Sequence, residues 1–159
     1  MKYKGIWFYG LSGSGKTLLS KTIEKKFSRI FIIDGDEVRK NISFDLGYSI
    51  KDRETQIKRI FGLCKMAIKS RLVPVVSAVY LNKEILKKCH KEKIIVIKID
   101  RKKMSNIFRS HKTYKNKKNV VGLDIKYDNL KTKIITNYNN KSFCQNLNFF
   151  KKFLIKKGT

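Results

Sequence analysis

The stretch GIWFYGLSGSGKTLLSKTIEKKF, residues 5 to 27, constrains the fold more tightly than any other. An apolar run stops at Gly10, passes through glycines and serines to Lys16, and resumes with Leu18, Leu19, Ile23 and Phe27 at helical spacing. That is a buried strand over 5–10, a tight loop, and a helix over 15–27. Gly10, Gly15, Lys16 and Thr17 fit the spacing G-x-x-x-x-G-K-[ST], in the strand–loop–helix context that gives the motif its meaning. Glycines at 10, 13 and 15 permit unusual φ and a close backbone approach. The N–H groups of the loop, with Ser12 and Ser14 in it, and the N-terminus of the helix then face an anion. Lys16 is placed to reach the β- and γ-phosphates of a nucleoside triphosphate, and the Thr17 hydroxyl to ligate the Mg²⁺ it carries. A glycine turn that binds nothing is the alternative, and the complete pattern in its proper context speaks against it. ATP with Mg²⁺ is the expected ligand.

The rest of the chain alternates strand and helix. Apolar runs at 29–34, 74–79 and 93–100 read as buried strands, with Pro74 at a strand's first position. KIIT at 133–136 reads as a weak fifth. Helices are expected from Asp36 to about Ile42, from Asp52 to Ser70, and over 82–91. In the long one, Ile57, Ile60, Phe61, Cys64, Ala67 and Ile68 keep one apolar stripe. Residues 43–49 form a loop, 101–119 a basic segment of helix and mobile loop, and 143–157 a closing amphipathic helix. Near-continuous apolar strands with helices between them argue an α/β fold, a parallel sheet of about five strands covered on both faces. With no linker or internal repeat, residues 1–159 read as one domain.

The second strand ends in IIDGDEVRK. Asp34 and Asp36 sit two apart, so an extended chain puts both on one side, and a parallel strand's C-terminal end opens on the ligand crevice. Asp36 is therefore expected near the transferred phosphate, to accept a hydroxyl proton or hold Mg²⁺ through water. Capping the next helix is its bland alternative. Arg39 follows one turn on, facing either an anionic acceptor or solvent. Arg53 and Gln56 lie on the apolar stripe of the long helix rather than its polar face. An arginine there needs an anion, a substrate phosphate or a structural partner. Tyr48 is either a stacking wall for a base or a core tyrosine.

The balance of 38 Lys+Arg against 12 Asp+Glu, a net charge of +26, invites a nucleic-acid or anionic-membrane partner. The lysines are scattered through every segment, and the chain is crowded with Asn and Ile, as AT-rich coding would give. A nucleic-acid partner is therefore not expected. Cys64, Cys89 and Cys144 are an odd number without metal-ligand spacing, as expected of reduced thiols in the cytoplasm. No apolar run is long enough for a signal peptide's core or a membrane span. His90 and His111 have no metal-like companions.

Three runs, GLSGSGKT, IDGDEVRKNISFDLGYSIKDRETQIKRI and NVVGLDIKYDN, resemble the adenylylsulfate (APS) kinases from about residue 5 to 130. The run D-G-D-x-V-R followed by D-L-G-[FY]-S-x-x-D-R is far more specific than the phosphate loop alone. The resemblance implies a P-loop three-layer sandwich with a mobile lid, transfer of the γ-phosphate of Mg·ATP to a ribose 3′-hydroxyl, and a homodimer. It implies Asp36 near the accepting hydroxyl, with Lys16 as its catalytic companion. Asp34, Arg39, Arg53 and Gln56 fall on the acceptor side, and Tyr48 takes the place of a phenylalanine that stacks the acceptor base. Residues 101–119 become the lid, with Arg101, Arg109 and Lys112 or His111 as phosphate contacts. The chain departs from the family pattern at VYLNK (79–83) for I-S-P-Y-R, at Gln56-Ile57-Lys58 for N-I-R, and at Val120-Val121-Gly122 for F-T-G, whose phenylalanine is the second wall around the base. Its lid is also several residues short. These changes cluster on the acceptor side, Val121 among them. NVVGLDI further resembles a branch from bacterial capsule gene clusters, one member of which phosphorylates cytidine diphosphoramidate. Another P-loop nucleotide or polynucleotide kinase, and a basic nucleic-acid binder, are the alternatives.

Overall fold

The computed structural model describes residues 3–156 apart from 116, 117, 127, 129, 141 and 146, and excludes the side chains of 108 and 109. Five strands, β1 Gly5–Tyr9, β2 Ile30–Asp34, β3 Val73–Ala78, β4 Ile94–Arg101 and β5 Lys133–Asn137, form one sheet in the order β2-β3-β1-β4-β5. Every pairing is parallel. Parallel strands need crossovers, and helices supply most of them: α1 Lys16–Lys26, α2 Gly35–Asn41, α3 Ile50–Lys69, α4 Lys83–Lys91, and the short α5 Ser105–Ser110 and α6 Lys112–Lys115. The expected α/β architecture is therefore present, strand for strand.

The central strand β1 is wholly buried, and its side chains alternate between two cores. Trp7 and Tyr9 join Ile57, Ile60 and Cys64 of α3 and Ile85 and Cys89 of α4 on one face. Ile6 and Phe8 join Leu19 and Ile23 of α1 and the C-terminal aromatic residues on the other. These are the two outer layers of an α/β/α sandwich.

Three expectations change. Leu18 faces out at 58% exposure, on the rim of a cleft rather than in the core. The closing helix is not continuous: residues 142–156 form two single turns, α7 Ser142–Gln145 and α8 Asn148–Lys151, before a bridge from Lys156 to Phe27. Phe143, Leu147, Phe150 and Phe153 still reach the sheet. The packing expected of a helix is kept, although Leu147, between the two turns, is not helical. Finally, Asp34 and Asp36 do not share an extended segment, because the helix starts at Gly35.

Candidate active site

All five strands point their C-terminal ends the same way, and a cleft of about 1110 Å³ opens beside the ends of β1, β2 and β3. The phosphate loop forms its floor. A Cβ at Gly10 would collide with the Ile99 carbonyl, and φ is +150° there, so only glycine lets β1 turn this close to β4. Gly15 precedes α1 in the left-handed region, and no side chain caps that helix. The first N–H groups of α1 are thus left for an anion, and Ser12, Gly13, Gly15, Lys16 and Thr17 line the cleft beside them. Gly10 and Ser14 shape the loop from beneath instead.

Lys16 is 7% exposed. Its ammonium donates to the carbonyls of Gly10 and Leu11, both at 2.8 Å. Burial lowers its pKa to about 8, against the opposing pull of Asp36 and Asp34. The Thr17 hydroxyl donates to Asp34 Oδ2 at 2.8 Å, so Asp34, expected on the acceptor side, is tied to the phosphate loop instead. Asp34 Oδ1 accepts from the Asp36 N–H at 3.0 Å, so Asp34, not Asp36, caps α2. Capping leaves the Asp36 side chain in the first helical turn, on the cleft wall.

The opposite wall is built by α3. Ser49 caps it, in a capping box with Asp52. This fixes the turn that carries Arg53 and Gln56. Arg53 is nearly buried, its Nε donating to the Tyr48 carbonyl at 3.1 Å and its Nη2 to the Asn119 carbonyl at 2.7 Å. Gln56 Nε2 donates to the Gly35 carbonyl at 2.9 Å. Tyr48 is 57% exposed and is no core residue. The Arg39 and Arg53 guanidinium carbons lie 4.6 and 5.6 Å from its ring centre. Val121 is buried at the cleft's far side with Val120. Arg59 and Lys58, by contrast, pair at the surface with Asp45 and Glu84.

His111 and Lys112 line the cleft; the Arg109 side chain lies outside the described residues. Arg101, expected in the lid as a phosphate contact, instead ends β4 and braces the phosphate loop, together with two residues that sequence reasoning missed, Asn137 and Tyr114. Asn137 donates to the Ser14 carbonyl at 3.0 Å, Arg101 to the Gly13 carbonyl at 2.7 Å, and the Tyr114 hydroxyl to the Ser12 carbonyl at 2.9 Å. Ile107 of α5 also lies over Gly13. These contacts span 88 to 123 residues of chain, beyond the reach of any local pattern.

The family model for adenylylsulphate kinase matches residues 2–131. The chain belongs to that family. A probable adenylyl-sulfate kinase of Synechocystis is 40% identical over 78 residues, which is 46% of this chain and 44% of the relative. An adenylyl-sulfate kinase of Rippkaea orientalis is 36% identical over 91 residues, 54% of this chain and 50% of the relative. The chain spans about half the length of these curated relatives. In fold, it superimposes on the APS kinase CysC of Mycobacterium tuberculosis, solved with AMPPNP and APS, at a TM-score of 0.78, covering 95% of this chain and 96% of that one at 23% identity.

Proposed function

We propose that this chain is an ATP-dependent kinase that transfers the γ-phosphate to the ribose 3′-hydroxyl of a nucleotide-activated acceptor, either adenylylsulfate or a variant such as cytidine diphosphoramidate. One observation carries the reading: a phosphate-binding floor and an acid–arginine wall face each other across one cleft. Its volume, about 1110 Å³, lies just above the range of single-ligand sites, about 300–1,000 Å³. The structural relative holding both AMPPNP and APS supports a two-substrate site.

On the donor side, the Lys16 ammonium exchanges two loop carbonyls for phosphate oxygens when nucleotide binds. Thr17 and Asp34, two hard oxygen donors in contact, fit a Mg²⁺ ion that arrives with the nucleotide and keeps several of its waters. The ion would supply charge neutralisation between the phosphates. On the acceptor side, Asp36 orients or deprotonates the 3′-hydroxyl, while Arg39 and Arg53 face the acceptor's own anion. Tyr48, exposed beside the two arginines, offers its ring to the base. The far wall offers only the aliphatic Val120 and Val121, which favours a smaller base than a second aromatic wall would. The segment 101–119 serves as the lid, excluding water and so limiting wasted hydrolysis of ATP. In a bacterial capsule pathway, a cytidine-linked acceptor would fit this wall.

The test is ADP formation against a panel of acceptors headed by adenylylsulfate and cytidine diphosphoramidate, with Lys16→Ala as control. Acceptor-dependent ADP from the parent protein, absent in the variant, is expected. No ADP with any nucleotide acceptor would sink the kinase reading.

A further inference from the structure

Phe44 is 81% exposed and lines the cleft, so its ring stands at the solvent edge of the opening. A single apolar side chain at a surface is ordinary. What distinguishes this one is how firmly it is mounted. Ser43, just before it, is fully buried, and its N–H donates to the Val38 carbonyl at 2.9 Å. Asp45, just after it, meets the Arg59 guanidinium with both carboxylate oxygens, the Nη2–Oδ2 contact measuring 2.8 Å. The Leu46 N–H closes the turn on the Ser43 carbonyl at 3.0 Å, and Arg39 donates to the Gly47 carbonyl. Helices α2, through Arg39, and α3, through Arg59, therefore both hold the turn 43–47. A two-pronged arginine–carboxylate pair fixes direction as well as distance. The backbone on each side of Phe44 is tied down, and the ring is presented to the cleft.

The fold itself makes no use of that ring. Phe44 joins neither apolar core. Among the described residues, no aromatic ring and no cation is paired with it, whereas Tyr48, four residues on, has the Arg39 and Arg53 guanidinium carbons 4.6 and 5.6 Å from its ring centre. The turn belongs to the acceptor half of the cleft, since it is tied to Arg39 and runs into Tyr48, while the phosphate loop floors the donor half. The far wall there, Val120 and Val121, holds no ring. A preorganised aromatic side chain at the edge of a ligand cleft suits a flat, apolar group. The flat group that a nucleotide brings is its base, and every base has a π-face that can stack.

We propose that Phe44 is a specificity-determining residue whose ring covers the acceptor's nucleobase at the mouth of the cleft. The proposal rests on the kinase reading above. The ring acts on holding the acceptor and takes no part in the transfer itself, which happens at the other end of that substrate.

The experiment uses the full chain, Mg·ATP and whichever acceptor of the panel above yields ADP. Loss of a stacked ring weakens binding by about five- to a hundredfold. Phe44→Ala is expected to raise KM for the acceptor by a factor in that range, with KM for ATP far less affected. Phe44→Trp keeps a flat aromatic face and should restore acceptor KM to within about threefold of the parent value. Phe44→Leu is apolar without a π-face and should recover only a small part. Because the ring is exposed, Tm should hold in all three variants, so loss of fold does not mimic the effect. An acceptor KM that Phe44→Ala leaves unmoved overturns the role of Phe44, as does a loss that falls on ATP instead, or one that Phe44→Trp fails to rescue; each leaves the kinase reading intact. Absence of ADP with every acceptor overturns the kinase reading and this proposal together.

Discussion

At the residue scale, Lys16 carries the sharpest consequence. Burial holds its ammonium at about 8, below its ordinary 10.5. Between those values the unfolded chain keeps the proton and the folded chain has lost it. Stability contributed by this group therefore rises with pH across that window, and the buried charge is a cost below it. Nucleotide binding has the opposite sign. Phosphate pairs with the charged form, so above pH about 8 binding must take up a proton, and affinity should fall toward tenfold per pH unit. Calorimetry in two buffers of different ionisation enthalpy, about one unit above that pKa, should show proton uptake in the parent protein and none in Lys16→Ala. Equal heats in both buffers would refute the assignment. Asp36 gives a second prediction at this scale. Asp36→Asn should lower kcat by about 10²-fold or more while ATP affinity holds; an unchanged kcat with the true acceptor would remove Asp36 from the chemistry. Both residues were legible in the sequence because their settings are local: a loop of eight residues for one, the end of a strand for the other. What stayed hidden was the division of labour between the two acids. Alternation along a strand treats Asp34 and Asp36 alike, and only the helix starting at Gly35 ties Asp34 to the cap and to Thr17 and leaves the Asp36 side chain out of the cap, on the same cleft wall.

At the element scale, the phosphate loop is held by pieces that join it late. Asn137, at the last position of the edge strand β5, is buried and donates to the Ser14 carbonyl. Asn137→Ala leaves that carbonyl without this donor, at about 1–3 kcal/mol of stability. Because Ser14 lies inside the loop, ATP affinity should fall as well, with KM for the acceptor unmoved. Thermal melts and ATP titrations on the same protein check this. A lower Tm with unchanged ATP affinity would make the contact purely structural. The strand itself was a weak signal, four residues of which only Ile134 and Ile135 are apolar, and its brace was not legible at all. Periodicity reports which face of an element is buried. It is silent on which side chain at the element's end will meet a loop 123 residues earlier. The same limit explains the C-terminal segment. Its apolar spacing correctly placed Phe143, Leu147 and Phe150 against the sheet, yet a pattern of burial cannot distinguish one helix from two turns that present the same residues.

For the whole molecule, the net charge of +26 acts in two opposed ways. It repels itself, so the compact state is destabilised relative to an expanded chain. It also attracts anionic nucleotides into a cleft floored by Lys16 and an uncapped helix N-terminus. Salt screens both effects over a Debye length of about 8–10 Å near physiological ionic strength. Raising sodium chloride from about 0.05 to about 0.5 M should therefore raise Tm, by about 2–4 °C for each kcal/mol of repulsion relieved in a domain of this size. The same change should lower kcat/KM for both anionic substrates several-fold, through KM rather than kcat. Chloride is the right salt for the test, because a phosphate-like anion would occupy the loop and raise Tm by binding alone. The paired directions separate a charge that serves the site from one that merely coats the surface. If Tm rises while kcat/KM stays flat, the excess lysine is tolerated rather than used. If both move as expected, a surface that codon composition is enough to explain also steers the substrates to the cleft.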